Sequence, residues 1–371
     1  MNSFHQELAN RLRAAKHLPS VAIGFDGFVD EMISLVAERQ SLEAFQAVPD
    51  IATFGGLISK AAGHSSLREI VVNAVHPGGC AVNMGDGLAA LGVPVDGFAT
   101  LGEPIHPAFA FMTAGFRSVH SWGREPGRTL AFEFNDGKLM FSAVSQLADF
   151  TPEYVTKKLA DGGYAKACAE ARLIALTDWT LYPHMTAVWR LLQEKVYDKL
   201  THRPAFFIDL VDPSSRSSDD IRAMLDTLPA FGATGPLTLG LNGNEANIIA
   251  RLFGLPTASD APENALAQAQ ALRTRLNIAE VVIHHIKFAA VANATEAAHM
   301  RGPYCAKPKK STGAGDRFNA GYALGLLLQL DARSRLACAT GASGLFVREA
   351  RSASLPELAG FIETVMATEQ T

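Results

Sequence analysis

The stretch Lys309–Leu330 reads KKSTGAGDRFNAGYALGLLLQL, and how it is read decides the fold. A basic start gives way to the small, flexible run Thr312-Gly313-Ala314-Gly315 and then to a carboxylate, Asp316. From Phe318 the apolar residues Phe318, Tyr322, Leu326 and Leu330 recur every four positions, with Ala323, Leu324, Leu327 and Leu328 on the other faces. That pattern predicts a helix buried nearly all round. Glycines ahead of a helix let backbone N–H groups approach a ligand, and the helix N-terminus favours negative charge. The turn is therefore a candidate anion hole. Asp316 has two readings. It is a first-turn acid favoured by the helix dipole, or a base that takes a proton from a hydroxyl while the adjacent N–H groups hold a phosphoryl group under attack.

Outward from this stretch, strand-like and helix-like segments alternate. Short apolar strands are expected at Ser20–Phe25, Ile70–Val75, Val93–Thr100, Arg172–Thr177, Ala205–Leu210, Leu237–Leu241 and Val281–His285. Helical patterns occupy Cys80–Leu91, Pro183–Val196, Ser218–Leu228, Glu245–Phe253 and Asn264–Leu276. Continuously apolar strands alternating with helices predict a doubly wound, mostly parallel α/β sheet with helices on both faces. Two regions break the rhythm. Asn135-Asp136-Gly137 between Arg128–Phe134 and Lys138–Ser142 is a hairpin signal. Glu31 to Gly63 reads as a helix-rich insertion. The economical organisation is a single domain over residues 1–371 with a small β-sheet lid, its segments at about 31–76 and 118–145.

Composition narrows the partners. With 48% hydrophobic and 19% charged residues and a net charge of -4, the 371-residue chain is globular and carries no nucleic-acid or polybasic membrane signal. The N-terminal segment reads as an amphipathic helix and lacks the apolar core of a secretory signal. Cys80, Cys168, Cys305 and Cys338 are scattered without a CxxC pair, which suits a reducing cytoplasm.

TGAGDRFNAGYALGLL resembles the C-terminal signature of the ribokinase-like (PfkB) carbohydrate kinases, written D-T-x-G-A-G-D-x-F before a small-residue helix. The resemblance implies that Asp316 is the catalytic base and that Gly313, Ala314 and Gly315 form the anion hole, with Thr312 beside the nucleotide. The family's first Asp is Lys310 here, followed by Ser311. HPGGCAVNMGDGLAALGV (His76–Val93) resembles the family's N-terminal signature, in which Gly78, Gly79 and Asn83 approach the sugar. The family places a sugar-binding Asp just beyond the first strand, where this chain reads GFDGFVDEM (Gly24–Met32). Asp30 fits the spacing, and Asp26 is a further candidate because strand ends point into the ligand crevice.

LGLNGNEANII (Leu239–Ile249) resembles the Asn-x-x-Glu element that organises Mg²⁺ through water. Asn242 with Glu245 keeps the spacing, and Asn244 with Asn247 is the other register. Glu245 is favoured because a hard dication prefers charged oxygen, and Asn242 or Asn244 equally suits a helix N-cap. FIDLVDPSSR adds Asp209, Asp212 and Arg216 as weaker candidates, beside Asp178 and Trp179. At VVIHHIKFAAVAN the family's Thr-x-Gly-x-x-Gly is absent. His284, Ile286 and Ala289 stand there, and Lys287 or His284 offers a charged phosphate contact. In the tail, Ala342, Ser343 and Phe346 either line an adenine pocket or pack the core.

The implied function is transfer of the γ-phosphoryl of ATP, with Mg²⁺, to a hydroxyl of a sugar. ADP as donor and a monovalent-cation requirement are left open, as is pairing of two copies through the lid. The alternatives are a nucleoside or vitamin-precursor kinase of the same fold and a non-catalytic sugar-binding regulator. The intact Gly-Ala-Gly-Asp argues against the last, since a pure binder has no need of a base.

Overall fold

A strand covered by helices on both sides buries every residue, and β1 (Val21–Phe25) does so along its whole length. In this computed structural model, which describes residues 3–258 and 261–369, the other strands follow in order. They are β2 (Phe28–Arg39), β3 (Phe45–Ala47), β4 (Ile70–Gly78), β5 (Val95–Ala99), β6 (Ser118–Ser121), β7 (Gly127–Phe134) and β8 (Gly137–Ala143). The second half adds β9 (Leu173–Thr177), β10 (Ala205–Asp209), β11 (Leu237–Asn242), β12 (Glu280–His284), β13 (Phe288–Ala292) and β14 (Ala297–Arg301).

Among the described residues the main sheet has nine strands in the order β14-β13-β12-β11-β10-β9-β1-β5-β6. All its neighbours are parallel except β12–β13 and β13–β14. Strand order reverses at β1, and such a switch point opens a crevice at the carboxyl ends of the strands. Alternate strand residues feed two apolar layers. Ile23 and Ala175 meet the helices Ser3–Ala14, Cys80–Ala90, Ala314–Leu327 and Ala332–Glu349. Ala22 and Leu176 meet Met185–Lys195, Ser218–Leu225, Gly243–Leu252 and Pro262–Leu276.

The second sheet is built on β2, which pairs antiparallel with β3 and β4 and parallel with β7; β8 completes the hairpin with β7. Its register sets His76, Asp30, Thr129 and Ser142 side by side across four strands. The helix Ile51–Lys60 covers part of the opposite face, where Phe54 and Leu57 pack on Ile33, Leu35, Val48 and Phe132.

Two expectations are corrected. The segment after the first strand is not helix-rich: the chain runs on as β2 to Arg39, because Val29, Ile33 and Leu35 bury one face with a period of two. Helix is confined to Ile51–Lys60. Ser118–Ser121, expected in the lid, is instead the edge of the main sheet on β5. Asp96 holds it there, pairing with Arg117 and accepting the Ser118 hydroxyl at 2.7 Å.

At the end of the main sheet away from the crevice, Glu280 is buried and accepts hydrogen bonds from Tyr322 (2.6 Å), Thr238 (3.2 Å) and Asn293 (3.1 Å), and pairs with buried Arg335. The pair fastens two helices to β12. Removing one partner of such a pair leaves an uncompensated charge. Arg335→Met is therefore expected to lower stability in urea unfolding by about 3–5 kcal/mol; a loss under about 1 kcal/mol would show that the pair does not secure the helices.

Candidate active site

The carboxyl ends of β1, β9, β10 and β11 deliver Asp26, Asp178, Asp209 and Glu245 to one crevice. All four are buried, and among the described residues no salt bridge reaches them. Burial is the first cause raising each above the ordinary carboxylate range, and neighbouring acids add to it at Asp178, Asp209 and Glu245.

Asp26 holds the start of the Cys80–Ala90 helix. Its carboxylate accepts the N–H of Cys80, the N–H of Ala81 at 2.8 Å and the Thr177 hydroxyl at 2.6 Å. Its hydrogen bonds thus go to the fold, and the second sheet supplies the other acid of that motif. Asp30 is half-buried and accepts a hydrogen bond from Thr129, with Lys138, Lys310 and His76 nearby. Its carboxylate lies over Gly78, where a Cβ would come within 2.5 Å of it. Gly79 caps the helix with φ 100°, which favours glycine. One turn on, Asn83 Nδ2 is 3.7 Å from where a Cβ of Gly313 would sit. Gly78, Gly79, Asn83 and Asp30, distant in sequence from the glycine turn, are brought to it.

The turn itself has Gly313 at φ 88° as N-cap of Ala314–Leu327. Ala314 N–H donates to Ser311 O at 3.1 Å, so that donor is engaged. Gly315 and Asp316 carry first-turn N–H groups with no intrahelical acceptor, donors of the kind that suit an anion. Asp316 lies beside the Cys80 thiol, which hydrogen-bonds to it. Burial pushes its pKa up to about 7; Arg317 pulls it down, while Asp209 and Asp26 raise it. This helix is wedged tightly. A Cβ on Gly87 would come within 2.7 Å of the Ala320 side chain, and one on Gly325 within 2.8 Å of Arg335.

Beside the turn opens a cleft of about 430 Å³, lined by His284, Tyr304, Ser311, Gly315, Phe318 and Ser343 among others. Ser343 is thus on the cleft wall, whereas Ala342 and Phe346 are core. Thr312 is half-buried in the turn, with Ser311 lining the cleft. His284 packs on Phe318 at 4.9 Å, and burial lowers its pKa to about 4, so its imidazole is neutral. The charged contact offered by this loop falls to Lys287, exposed at the rim with its ammonium 5.3 Å from the Tyr304 ring centre.

Across the β12–β13 turn lies a second cleft, lined by Asn242, Asn244 and Asn247. Asn242 is an N-cap that accepts from Asn244 and Glu245 N–H, and Glu245 answers by accepting Asn242 N–H and Nδ2 at 2.7 Å each. Asn247 serves the loop at Ala258, and Asn244 donates to Asp212 at 3.2 Å. Arg216 packs over Trp179 and donates to the carbonyls of Thr180 and Tyr182, a structural role.

Cys80, Arg317 and Asn319 escaped the sequence reading as site residues. Asn319 donates to Asp209 at 2.6 Å. Its place three residues after Asp316, on the same helical face, was the available signal.

The model of the prokaryotic ketohexokinase family matches residues 3–365. The chain belongs to that family. The ketohexokinase of Haloferax volcanii is 27% identical over 344 residues, which cover 92% of this chain and 90% of that protein. The solved ribokinase of Arabidopsis thaliana, complexed with ribose and ATP, has a TM-score of 0.63 at 18% identity, covering 94% of this chain and 99% of that one. A carbohydrate kinase from Agrobacterium tumefaciens gives 0.62 at 17%, covering 94% and 98%. The ribokinase-like fold expected from the sequence is the observed one, and the chain is a sugar kinase, a phosphotransferase that uses ATP.

If Asp26 is the anchor of the Cys80–Ala90 helix, Asp26→Ala is expected to cost about 1–2 kcal/mol of stability in urea unfolding as well as activity. Lost sugar affinity at unchanged stability would mark it as a substrate ligand instead.

Proposed function

We propose that this enzyme phosphorylates a ketohexose, moving the γ-phosphoryl group of ATP to a sugar hydroxyl with Asp316 as general base. The observation that carries the reading is the position of Asp316. Its carboxyl is in the first turn of a helix whose free N–H groups suit an anion, and it lies beside Cys80 at the start of the helix that follows Gly78, the glycine under the Asp30 carboxylate. A pKa of about 7 suits a base that must take and release a proton near neutrality. The ketose preference rests on the family and on the Haloferax relative.

In this reading the sugar lies between Asp30 and the Gly78–Asn83 segment, since a carboxylate accepts two hydroxyl hydrogen bonds. Asp316 withdraws the proton from the attacking hydroxyl. The N–H groups of Gly315 and Asp316 take up charge on the phosphoryl oxygens. The nucleotide occupies the cleft by Ser343 and Tyr304. The smaller sheet acts as a lid, and covering the site keeps water from replacing the sugar as acceptor.

The residues present fit Mg²⁺. Glu245 is buried with Asp209, Asp212 and Asp316 raising its pKa, an arrangement that a cation relieves. Glu245, through water, would hold it, with Asn242 orienting that carboxylate, since the Asn242 side-chain oxygen already accepts two N–H groups; the ion would supply positive charge to the phosphates. A pairing of two copies through the lid is supported by Ile70, Val72, Val75 and Phe141, exposed on one face of its sheet; sedimentation tests it.

Asp316→Asn is expected to lower kcat by a factor of roughly 10²–10⁴ with nucleotide and sugar binding retained. An unchanged rate ends the assignment. The base works deprotonated, so kcat/KM in the wild type is expected to fall as pH drops through about 7; a flat profile from pH 5 to 8 contradicts it. Turnover measured on ketohexoses, aldoses and nucleosides, with ATP or ADP, tests the acceptor and donor.

A further inference from the structure

Arg317 follows the base in sequence and is buried, at 7% exposure. Three elements orient its guanidinium. Nε donates to Ser352 Oγ at 3.0 Å, and Nη2 pairs with Asp86 of the Cys80–Ala90 helix at 2.5 Å. The guanidinium carbon lies 4.5 Å from the Phe346 ring centre. Ser352 Oγ in turn donates to Asp86, closing the bracket. The third nitrogen, Nη1, is enclosed and has no acceptor. It lies 2.9 Å from where a Cβ on Gly313 would sit, so it is aimed at the glycine turn from the protein side.

An unpaired buried donor ordinarily carries a desolvation cost. Here that cost coincides with a glycine whose missing side chain makes room for the nitrogen. Arginine does not deprotonate in proteins, so the charge is permanent. Lys310, the other cation nearby, is exposed, and partial desolvation followed by Arg317 itself lowers its pKa.

We infer that Arg317 is a positioning residue of the phosphoryl-binding turn: held beneath Gly313 by Asp86 and Ser352, its fixed charge adds positive potential to the turn and to the carboxylate beside it. The inference rests on Asp316 being the base. The groups that face Asp316 are Cys80 from the helix start, Asp26, Asp178 and Asp209 from the strand ends, and Glu245 from beyond β11. Against these acids, Arg317 supplies the opposing positive charge. The nearby His284 is neutral and adds none. Removing the arginine charge therefore raises the pH at which Asp316 ionises.

The test is kcat and kcat/KM against pH for Arg317→Met and Arg317→Lys. Arg317→Met is expected to lose about tenfold or more in kcat with sugar KM within about twofold, and to move the acid limb up by about one pH unit. Arg317→Lys keeps the charge and returns the limb to its wild-type place. An unmoved limb in Arg317→Met, or the same loss and limb in both variants, overturns the inference. Where circular dichroism shows Arg317→Met unfolded, Asp86→Asn combined with Ser352→Ala keeps the charge but frees it. Reduced kcat with an unmoved limb supports the inference, and wild-type kcat overturns it. Asp316→Asn separates the two readings: full activity there sinks the base itself, whereas an inactive Asp316→Asn beside a wild-type-like Arg317→Met sinks only the role of Arg317.

Discussion

The active-site geometry depends on one buried carboxylate. Asp26 accepts from two N–H groups at the start of the Cys80–Ala90 helix and from Thr177 of β9, joining β1, β9 and the helix at a single point. Those three donors partly offset what burial costs the charge. Once the helix start is pinned, Gly79 and Asn83 have fixed addresses. The helix meets Ala320 through Gly87, so the placement of Asp316 follows from the same constraint.

Electrostatically the site is a contest. Asp178, Asp209, Glu245 and Asp316 converge on one crevice. Acids packed together without cations resist ionisation, and the helix N-terminus, Arg317 and a recruited dication are the available counterweights. Burial brings Asp316 to a pKa of about 7, with Arg317 and the Cys80 thiol opposing the rise and Asp209 and Asp26 adding to it. The capping box at Asn242 has a second use: it orients Glu245 toward the acids while satisfying the helix end.

Much of this was legible in the sequence because it is local. A glycine turn before an all-round apolar helix, apolar strands alternating with helices, and an Asp-Gly hairpin each carry their own signal, and each formed as read. What stayed hidden depends on distant partners. Spacing offered both Asp26 and Asp30 to the sugar, and it could not show that the hydrogen bonds of Asp26 go to a helix fifty-four residues on. Arg317 acquires meaning only through Asp86, 231 positions earlier. The stretch after β1 misled because charged residues at Asp30, Glu31 and Glu38 blur its two-residue period; pairing with β4 and β7 then made it a strand. Ser118–Ser121 misled because an edge strand can be polar and still belong to the main sheet.

The contacts at Gly87 and Gly325 carry a mechanical consequence. A helix seated against its neighbours on two sides, with no room for a methyl group at either seat, has no soft direction in which to slide. The helix start at Gly79 and the helix bearing Asp316 then behave as one stiff block. The smaller sheet joins that block where β4 runs into the Cys80–Ala90 helix and where Val29 enters the main core, and it is otherwise held largely by its own strand pairs and small cluster. The sequence of the smaller sheet can therefore vary while the spacing between Asp316 and the Gly79 helix start stays fixed.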